Sequence, residues 1–348
     1  MLDCKTATIK EVSVHHVGNK THGEGIHLSK APLDISDKKL DRLLYRFFFS
    51  PFKEPEFYHF VSTTEDFTLN PLFRFASDVF TQPSCFHETS VKFTKHLHEI
   101  SLHPQIKSGD VFVAYFRDIG IGEDTTDAIG IFKSENRQPF LTLDNATDEF
   151  TLKCEDGINI EKLDKACLII NHDDEMGYRV CVVDKSNKSE EAQFWKDGFL
   201  QLRPCDDDFH STKDFLDLAK NFVKESMPDE FDVSKADQID LLNRSVDYFK
   251  TRKSFNKNEF EGEVFKDPEF IDSFQQYEAK YKEMNDLVIL DDFEVSQPAV
   301  KKQSKIFKSV LKLDKNFSIY IHGDKSYVER GQNEEGRKFY KFYYDIEE

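Results

Sequence analysis

Asp110-Val-Phe-Val-Ala-Tyr-Phe-Arg117 is the stretch that decides the fold of this 348-residue chain. Successive side chains of a strand project to opposite faces of a sheet. Both sets are apolar here, namely Val111, Val113 and Tyr115 on one face and Phe112, Ala114 and Phe116 on the other. A strand that is apolar on both faces is typical of the centre of a sheet that is covered on both sides. We therefore predict a central strand at this position.

Further strand segments lie on either side of this stretch. An alternating segment precedes it, and five short apolar segments follow it, separated by turn residues and by no helical pattern; these are Ile9–Val17, Asp127–Lys133, Pro139–Leu143, Phe150–Cys154, Ala166–Asn171 and Tyr178–Asp184. Adjacent short strands without intervening helices indicate an antiparallel meander. The fold class is therefore α+β, with an antiparallel sheet core, flanking helices, a helical block and a small C-terminal antiparallel β meander.

Helical periodicity is clearest just upstream of this sheet and in the segment after residue 205. Leu40, Leu43, Leu44, Phe47 and Phe48 follow the spacing of one buried helix face. Ser36 is the predicted N-cap of this helix and Pro51 its end. Further helices are expected at 71–80, from Ser84 or His87 to 102, at 211–225 with Pro228 as its end, from a capping box at Ser234–Asp237, and from Asp267-Pro268 to about Met284.

These patterns divide the chain into three predicted parts. Residues 1–205 form an α+β domain, residues 206–295 form a helical block, and residues 296–348 form a basic C-terminal β meander. The first boundary falls where the short strands give way to helical periodicity. The second falls where strand patterns return and the sign of the local charge changes.

Composition excludes several classes of protein. Apolar residues make up 39% and charged residues 32%, which is typical of a globular chain. No apolar run approaches the roughly 18 residues that a membrane helix needs, and no leader pattern precedes Cys4. The six cysteines are scattered without a C-x-x-C pair, which favours free thiols in a reducing compartment. We expect a cytoplasmic protein that makes no membrane contact.

Charge is distributed unevenly along the chain. The net charge is −18, from 47 Lys and Arg against 65 Asp and Glu. Residues 299–342 nevertheless hold eleven Lys and Arg against five Asp and Glu, so this segment carries +6 and the remainder carries −24. A net negative surface repels nucleic acid on average, so contact with nucleic acid would require a local basic patch.

The basic segment supplies the candidate binding residues. Cations neutralise phosphates, and exposed aromatic rings can stack on unpaired bases. The candidates are Lys301, Lys302, Lys305, Lys308, Lys312, Lys315, Arg337, Lys338 and Lys341, with Tyr340 and Tyr343 as stacking partners. Period two places Arg337, Phe339, Lys341 and Tyr343 on one face of a strand. The same pattern also suits a solvated sheet face, lysines that protect an edge strand, or a surface that docks on the acidic remainder.

Catalytic and metal-binding motifs lack support. Asp127 and Lys133 share one strand face, as in enzymes that hold Mg²⁺ and activate water. The usual second carboxylate two residues before the lysine is replaced by Ile131. The histidine pairs lack metal-ligand spacing, and no phosphate-binding or nucleophile-elbow motif occurs. We expect no catalytic residue, no metal and no cofactor, and a Mg²⁺-dependent nuclease remains a minor alternative.

Several stretches resemble the bacterial nucleoid-associated protein family of the NdpA type. The resemblance spans about residues 9–345 and is most specific around Leu313-Asp-Lys-Asn-Phe317. The other similar stretches are Ile26–Ser29, Leu40–Phe52, Asp127–Glu135, Leu163–Ile170, Phe307–His322, Glu329–Gly331 and Gly336–Tyr340.

This resemblance implies a non-enzymatic protein of the cytoplasmic nucleoid that binds double-stranded DNA, with RNA as an alternative ligand. Contact with type II topoisomerase subunits is a further implication at family level. Two hypotheses therefore remain open. In the first, the protein binds DNA non-specifically through its basic segment; in the second, it is an acidic adaptor for DNA-processing enzymes. A homodimer is compatible with the first reading, because two basic segments would double the phosphate contacts.

Overall fold

The computed structural model describes residues 2–53, 55–62, 64, 66–144, 150–185, 194–285, 287–305, 307, 310–321 and 327–346. The chain separates into two compact units, residues 1–205 and 206–348. The division coincides with the predicted end of the α+β domain, whereas the helical block and the basic segment fall within one unit. In the described part of the chain, no helix is both long and apolar enough to cross a bilayer.

The first unit is built on a nine-stranded sheet whose paired strands are all antiparallel. Its strands are β1 (Leu2–Asp3), β2 (Thr8–Val17), β3 (Ile26–His27), β4 (Phe57–Phe60), β5 (Gly109–Ile121), β6 (Asp124–Ser134), β9 (Lys165–Ile170), β10 (Arg179–Asp184) and β11 (Leu202–Pro204). They lie in the order β11-β4-β10-β9-β6-β5-β2-β3, with β1 beside β5. Strands β7 (Arg137–Asp144) and β8 (Thr151–Ile158) form a separate two-stranded sheet. The predicted central strand is confirmed as β5.

Two apolar layers cover the sheet. Helices α2 (Pro71–Thr81) and α3 (Phe86–Ile100) and the π-helical segment Phe194–Leu200 contribute to one layer. Helix α1 (Lys38–Phe49) contributes to the other, where Phe48 stacks on Phe132 with ring centroids 4.4 Å apart. The two layers account for the apolar character of both faces of β5.

The ends of α1 differ in detail from the prediction. Asp37, rather than Ser36, is the N-cap, and its carboxylate accepts hydrogen bonds from the backbone of Lys39 and Leu40. A carboxylate at this position also complements the positive end of the helix dipole. Leu43 is partly exposed, whereas Phe49 takes a buried place against Phe116.

A buried polar network links β2 to α3. The backbone N–H of Ser29 donates to His15 Nδ1 (3.1 Å), and His15 Nε2 lies 2.9 Å from Ser90 Oγ. Ser90 Oγ in turn donates to the carbonyl of His87 (2.6 Å), whose ring contacts Ser13 Oγ. These contacts fit a neutral His15 that accepts at Nδ1 and donates from Nε2. Burial, together with the charge of His87, lowers the pKa of His15 to about 4.

Acid should therefore destabilise the first unit through His15. The unfolded side chain takes up a proton near pH 6.5, whereas the folded one resists protonation until about pH 4, so stability falls as the pH drops through this window. The full loss is about 3 kcal/mol. Urea unfolding at several pH values between 7 and 4 measures this loss of stability, with the fluorescence of buried Trp195 as the probe. Parallel pH curves for the wild type and His15→Gln would contradict the assignment, since the difference isolates His15 from the carboxylates.

The second unit consists of helices packed around phenylalanine rings. Its helices are α4 (Asp208–Asn221), α5 (Met227–Glu230), α6 (Lys235–Thr251), α7 (Lys257–Phe260), α8 (Pro268–Asn285) and α9 (Gln297–Ser304), with π-helical segments at Phe222–Ser226 and Glu261–Phe265. Phe215 contacts four other rings, from Phe249, Phe255, Phe260 and Phe274. The capping box at Ser234 and Asp237 is confirmed. Pro228 does not end the helical run, because it lies in the first turn of α5, where its missing N–H costs no hydrogen bond.

Short antiparallel pairs complete this unit. Strands β12 (Ser254–Asn256) and β13 (Asp292–Glu294) form one pair, β14 (Val310–Leu313) and β15 (Phe317–Tyr320) a second, and β16 (Val328–Gln332) and β17 (Lys338–Phe342) a third. The single C-terminal meander that we predicted is therefore two separate hairpins within the described residues. Both hairpins contribute side chains to one apolar cluster with Ile239 of α6, which includes Leu311 and Val328.

Candidate nucleic-acid interface

The first group of candidate lysines lies on helix α9, which the sequence analysis did not predict. Pro298 occupies the first turn, and Ala299, Val300 and Gln303 face the core. Gln303 Nε2 donates to Asp217 Oδ2 (3.0 Å), which ties this face to α4. Lys301, Lys302 and Lys305 are consequently left at exposed positions, and Lys305 is the C-cap. Partial burial lowers the pKa of Lys302.

The β14–β15 hairpin presents two further candidates. Leu311 is buried in the cluster with Ile239, whereas Lys312 is exposed, as strand alternation requires. Lys315 lies in the turn and is also exposed. Lys308 lies outside the described residues.

The β16–β17 hairpin carries the remaining candidates. Lys341 pairs with Glu329 at 3.4 Å, and its ammonium lies 5.1 Å from the centroid of the Phe339 ring. Arg337 approaches Glu335 at 3.7 Å, with both side chains largely exposed. Lys338 is exposed and forms no ion pair within the described ranges. Phe339 packs over Gly331, where a Cβ would lie only 2.3 Å from the ring, so a larger residue at this position would displace the ring.

The two candidate stacking tyrosines have different environments. Tyr340 is half-buried against the Ile239 cluster and stacks on Phe342 with centroids 6.4 Å apart. Tyr343 is about half exposed, and its hydroxyl donates to the Glu329 carboxylate. That hydrogen bond raises the pKa of Tyr343 and lowers the pKa of Glu329. Tyr343 is therefore the more accessible of the two rings.

Four of the candidate cations are exposed and have no acidic partner among the described residues. Lys305, Lys312, Lys315 and Lys338 form no ion pair with any side chain in the described part of the chain. Some lysines elsewhere are paired with carboxylates, as Lys250 is with Asp247 (3.0 Å). Other exposed lysines, such as Lys20 and Lys38, form no ion pair in the described part of the chain either, so the local excess of positive charge over residues 299–342 is what distinguishes this segment. An exposed, unpaired ammonium is free to exchange its counterions for a phosphate.

Two lysines that the sequence analysis missed lie beside Lys312. Lys224 and Lys235 line the same groove as Lys312, although they are 88 and 77 residues away in sequence. Residues 235, 238, 239 and 242 lie on one face of α6, and Ile239 on this face belongs to the apolar cluster with Leu311. This spacing is visible in the sequence, but only the fold brings the face against the hairpin.

The alternative nuclease site does not assemble. Lys133 is buried, and its ammonium donates to the carbonyl of Lys107 (2.6 Å) and to Glu135 Oε1 (2.8 Å). Asp127 instead accepts from the hydroxyl of Tyr115. The two residues do share a strand face, but six positions along a strand separate them by about 20 Å. Within the described ranges, no three His, Cys, Asp or Glu side chains lie close enough together to hold a metal ion.

Comparisons with known proteins place the chain in a family. No curated protein matches it. The family model described as "Nucleoid-associated protein YejK" matches residues 13–340, nearly the whole chain. That family is generally non-catalytic, and its members belong to the nucleoid, in the cytoplasm. The match includes the β14–β15 hairpin, β16, the first three residues of β17 and all the candidate cations up to Lys338. The chain therefore belongs to the family of the nucleoid-associated protein YejK.

Proposed function

We propose that this nucleoid-associated protein binds double-stranded DNA directly, without catalysis and without sequence preference, through the exposed cations of residues 301–341. The observation that supports this proposal is the net charge of +6 over residues 299–342 in a chain of net charge −18. Within this segment Lys305, Lys312, Lys315 and Lys338 are exposed and have no acidic partner among the described residues. Because phosphates are the proposed contacts, RNA is an acceptable ligand of the same surface.

The charge balance favours a local mode of contact. The acidic remainder of the chain repels a polyanion, and ions screen this repulsion beyond about 8 Å at physiological salt. Contact through a basic segment of net charge +6 then outweighs the repulsion at close range. Backbone contacts of this kind fix no base sequence, which suits a protein that binds throughout a nucleoid.

The experiment that tests this proposal reverses the four unpaired lysines together. In Lys305→Glu/Lys312→Glu/Lys315→Glu/Lys338→Glu, we expect affinity for a 20-base-pair duplex to fall by roughly 100-fold or more, equally for unrelated sequences. Fluorescence anisotropy at 50 mM salt measures it. The four side chains are exposed, so the fold should be retained, as circular dichroism can verify.

A matched control separates position from net charge. Lys20→Glu/Lys38→Glu/Lys39→Glu/Lys95→Glu makes the same change in net charge at exposed positions of the first unit. We expect this variant to bind within a few-fold of the wild type. Equal losses in both variants would contradict the proposed surface. Absence of binding by the wild type would instead favour the acidic adaptor, and pull-down with type II topoisomerase subunits would then be the next experiment.

A further inference from the structure

A groove in the second unit combines three lysines with an apolar floor. Its volume is about 360 Å³, and its walls carry Lys224, Lys235 and Lys312. The floor includes Ile239, Leu242 and Leu311, all of which are buried. No carboxylate lines the groove among the residues described. This volume lies at the lower end of the range of small-molecule sites and is large enough for one nucleotide unit.

Three separate segments form the groove. Lys235, Gln238, Ile239 and Leu242 are spaced i, i+3, i+4 and i+7 along α6, so that one helix face forms a wall. Lys224 comes from the π-helical segment after α4, and Val310, Leu311 and Lys312 come from β14. Lys235 Nζ donates to the Oε1 atom of buried Gln238 (2.9 Å), which orients this ammonium at the wall.

The electrostatics of the groove favour an anion. Lys224 forms no ion pair in the described part of the chain. Partial burial and the charges of Lys220 and Lys235 lower its pKa, against the opposing charge of Glu225. Lys220 is paired with Asp217, whereas Lys224 and Lys235 form no ion pair with a carboxylate in the described residues. An anion placed between them would relieve their mutual repulsion, which the nearby charge of Glu225 only partly offsets.

We propose that this groove seats a phosphate group of a nucleotide unit, with the lysines on the phosphate and the sugar or base against the apolar floor. The inference extends the proposed DNA binding to Lys224 and Lys235, two residues outside the basic C-terminal segment. The same chemistry is offered by a phosphodiester within a strand and by a free nucleotide, and the experiment separates these two sources.

The first arm measures duplex DNA binding by Lys224→Gln/Lys235→Gln, which leaves Lys312 intact. We expect the slope of log K against log salt to become shallower by roughly 2, because each substitution leaves one phosphate without its lysine. The matched control is Lys250→Gln/Lys280→Gln, at exposed positions of α6 and α8 in the same unit, and its slope should equal that of the wild type. Equal slopes for the groove variant and the control would show that the groove does not contact DNA. DNA binding by the wild type would in that case still support the proposed function.

The second arm needs no variant and no DNA. Acetylation of lysines in the wild-type chain is measured by mass spectrometry with and without AMP as the probe. If AMP protects Lys224 and Lys235 from acetylation but leaves the acetylation of Lys250 and Lys280 unchanged, the groove binds a nucleotide, as we propose. If the protein in addition does not bind duplex DNA, the groove is a site for free nucleotides. Absence of AMP protection together with an unchanged salt slope would overturn the inference.

Discussion

Raising the salt concentration from 50 to 200 mM should lower the affinity of this protein for duplex DNA by roughly 10³–10⁵-fold. This range follows from six to ten phosphate contacts, each of which releases counterions. The described candidate cations are Lys301, Lys302, Lys305, Lys312, Lys315, Arg337, Lys338 and Lys341. Anisotropy titrations at 50, 100, 150 and 200 mM salt give the slope of log K against log salt directly.

A control for this prediction removes the phosphates from the ligand. A peptide nucleic acid duplex of the same sequence keeps the bases and lacks the charged backbone, so it should not bind at 50 mM salt. A flat salt dependence, or comparable binding of the uncharged duplex, would contradict backbone recognition. Either result would direct attention to base stacking, for which Tyr343 is the exposed candidate.

Phe48→Ala should destabilise the first unit by about 3–5 kcal/mol. The Phe48 ring is fully buried and lies 4.4 to 6.2 Å, centroid to centroid, from the rings of Phe47, Phe112, Phe116 and Phe132. Its removal leaves a cavity that four aromatic rings cannot fill without leaving their own packing positions. Urea unfolding measures the loss, with fluorescence of Trp195 as the probe, since this single tryptophan is buried in the same unit.

Phe150→Ala is the matched control for this substitution. Phe150 is 72% exposed, so the same change in side chain should alter the unfolding free energy by less than about 0.5 kcal/mol. A loss below about 1 kcal/mol for Phe48→Ala would contradict the packing of α1 on the sheet. It would show that this layer does not hold the first unit together.

Local sequence patterns predicted the elements of the sheet well. The doubly apolar stretch at 110–117 is the core of β5, and the short spacing of the strands after it does reflect antiparallel pairing. The capping box at Ser234 was also predictable, since its hydrogen bonds join residues three positions apart. Choosing between Ser36 and Asp37 was not possible, because both are good N-caps and only the path of the chain decides which one contacts the free N–H groups.

The candidate site was predictable in composition but not in arrangement. Charge counting identified the basic segment, because that signal depends on sequence alone. Helix α9 was missed, since its single buried face is short and lies among lysines. The convergence of Lys224, Lys235 and Lys312 depends on the packing of Leu311 and Ile321 against Ile239, an interaction between distant segments that no local pattern contains.

The packing also determines which variants are informative. A chain that ends near Ser296 would lose Val300 and Phe307, which are buried in the core of the second unit. It would also expose Ile239, which the hairpins cover. If such a chain no longer bound DNA, the loss could come either from unfolding or from the missing positive charges. Substitutions of exposed lysines avoid this ambiguity, because they leave the apolar packing in place.

The measurement that tests direct phosphate contact most plainly is lysine acetylation of the full chain, read by mass spectrometry, with and without duplex DNA at 50 mM salt. We expect DNA to protect Lys305, Lys312, Lys315 and Lys338 by several-fold and to leave Lys20, Lys38, Lys39 and Lys95 unchanged. Protection of neither set, or equal protection of both sets, would contradict the claim that this nucleoid-associated protein contacts DNA through its basic C-terminal segment.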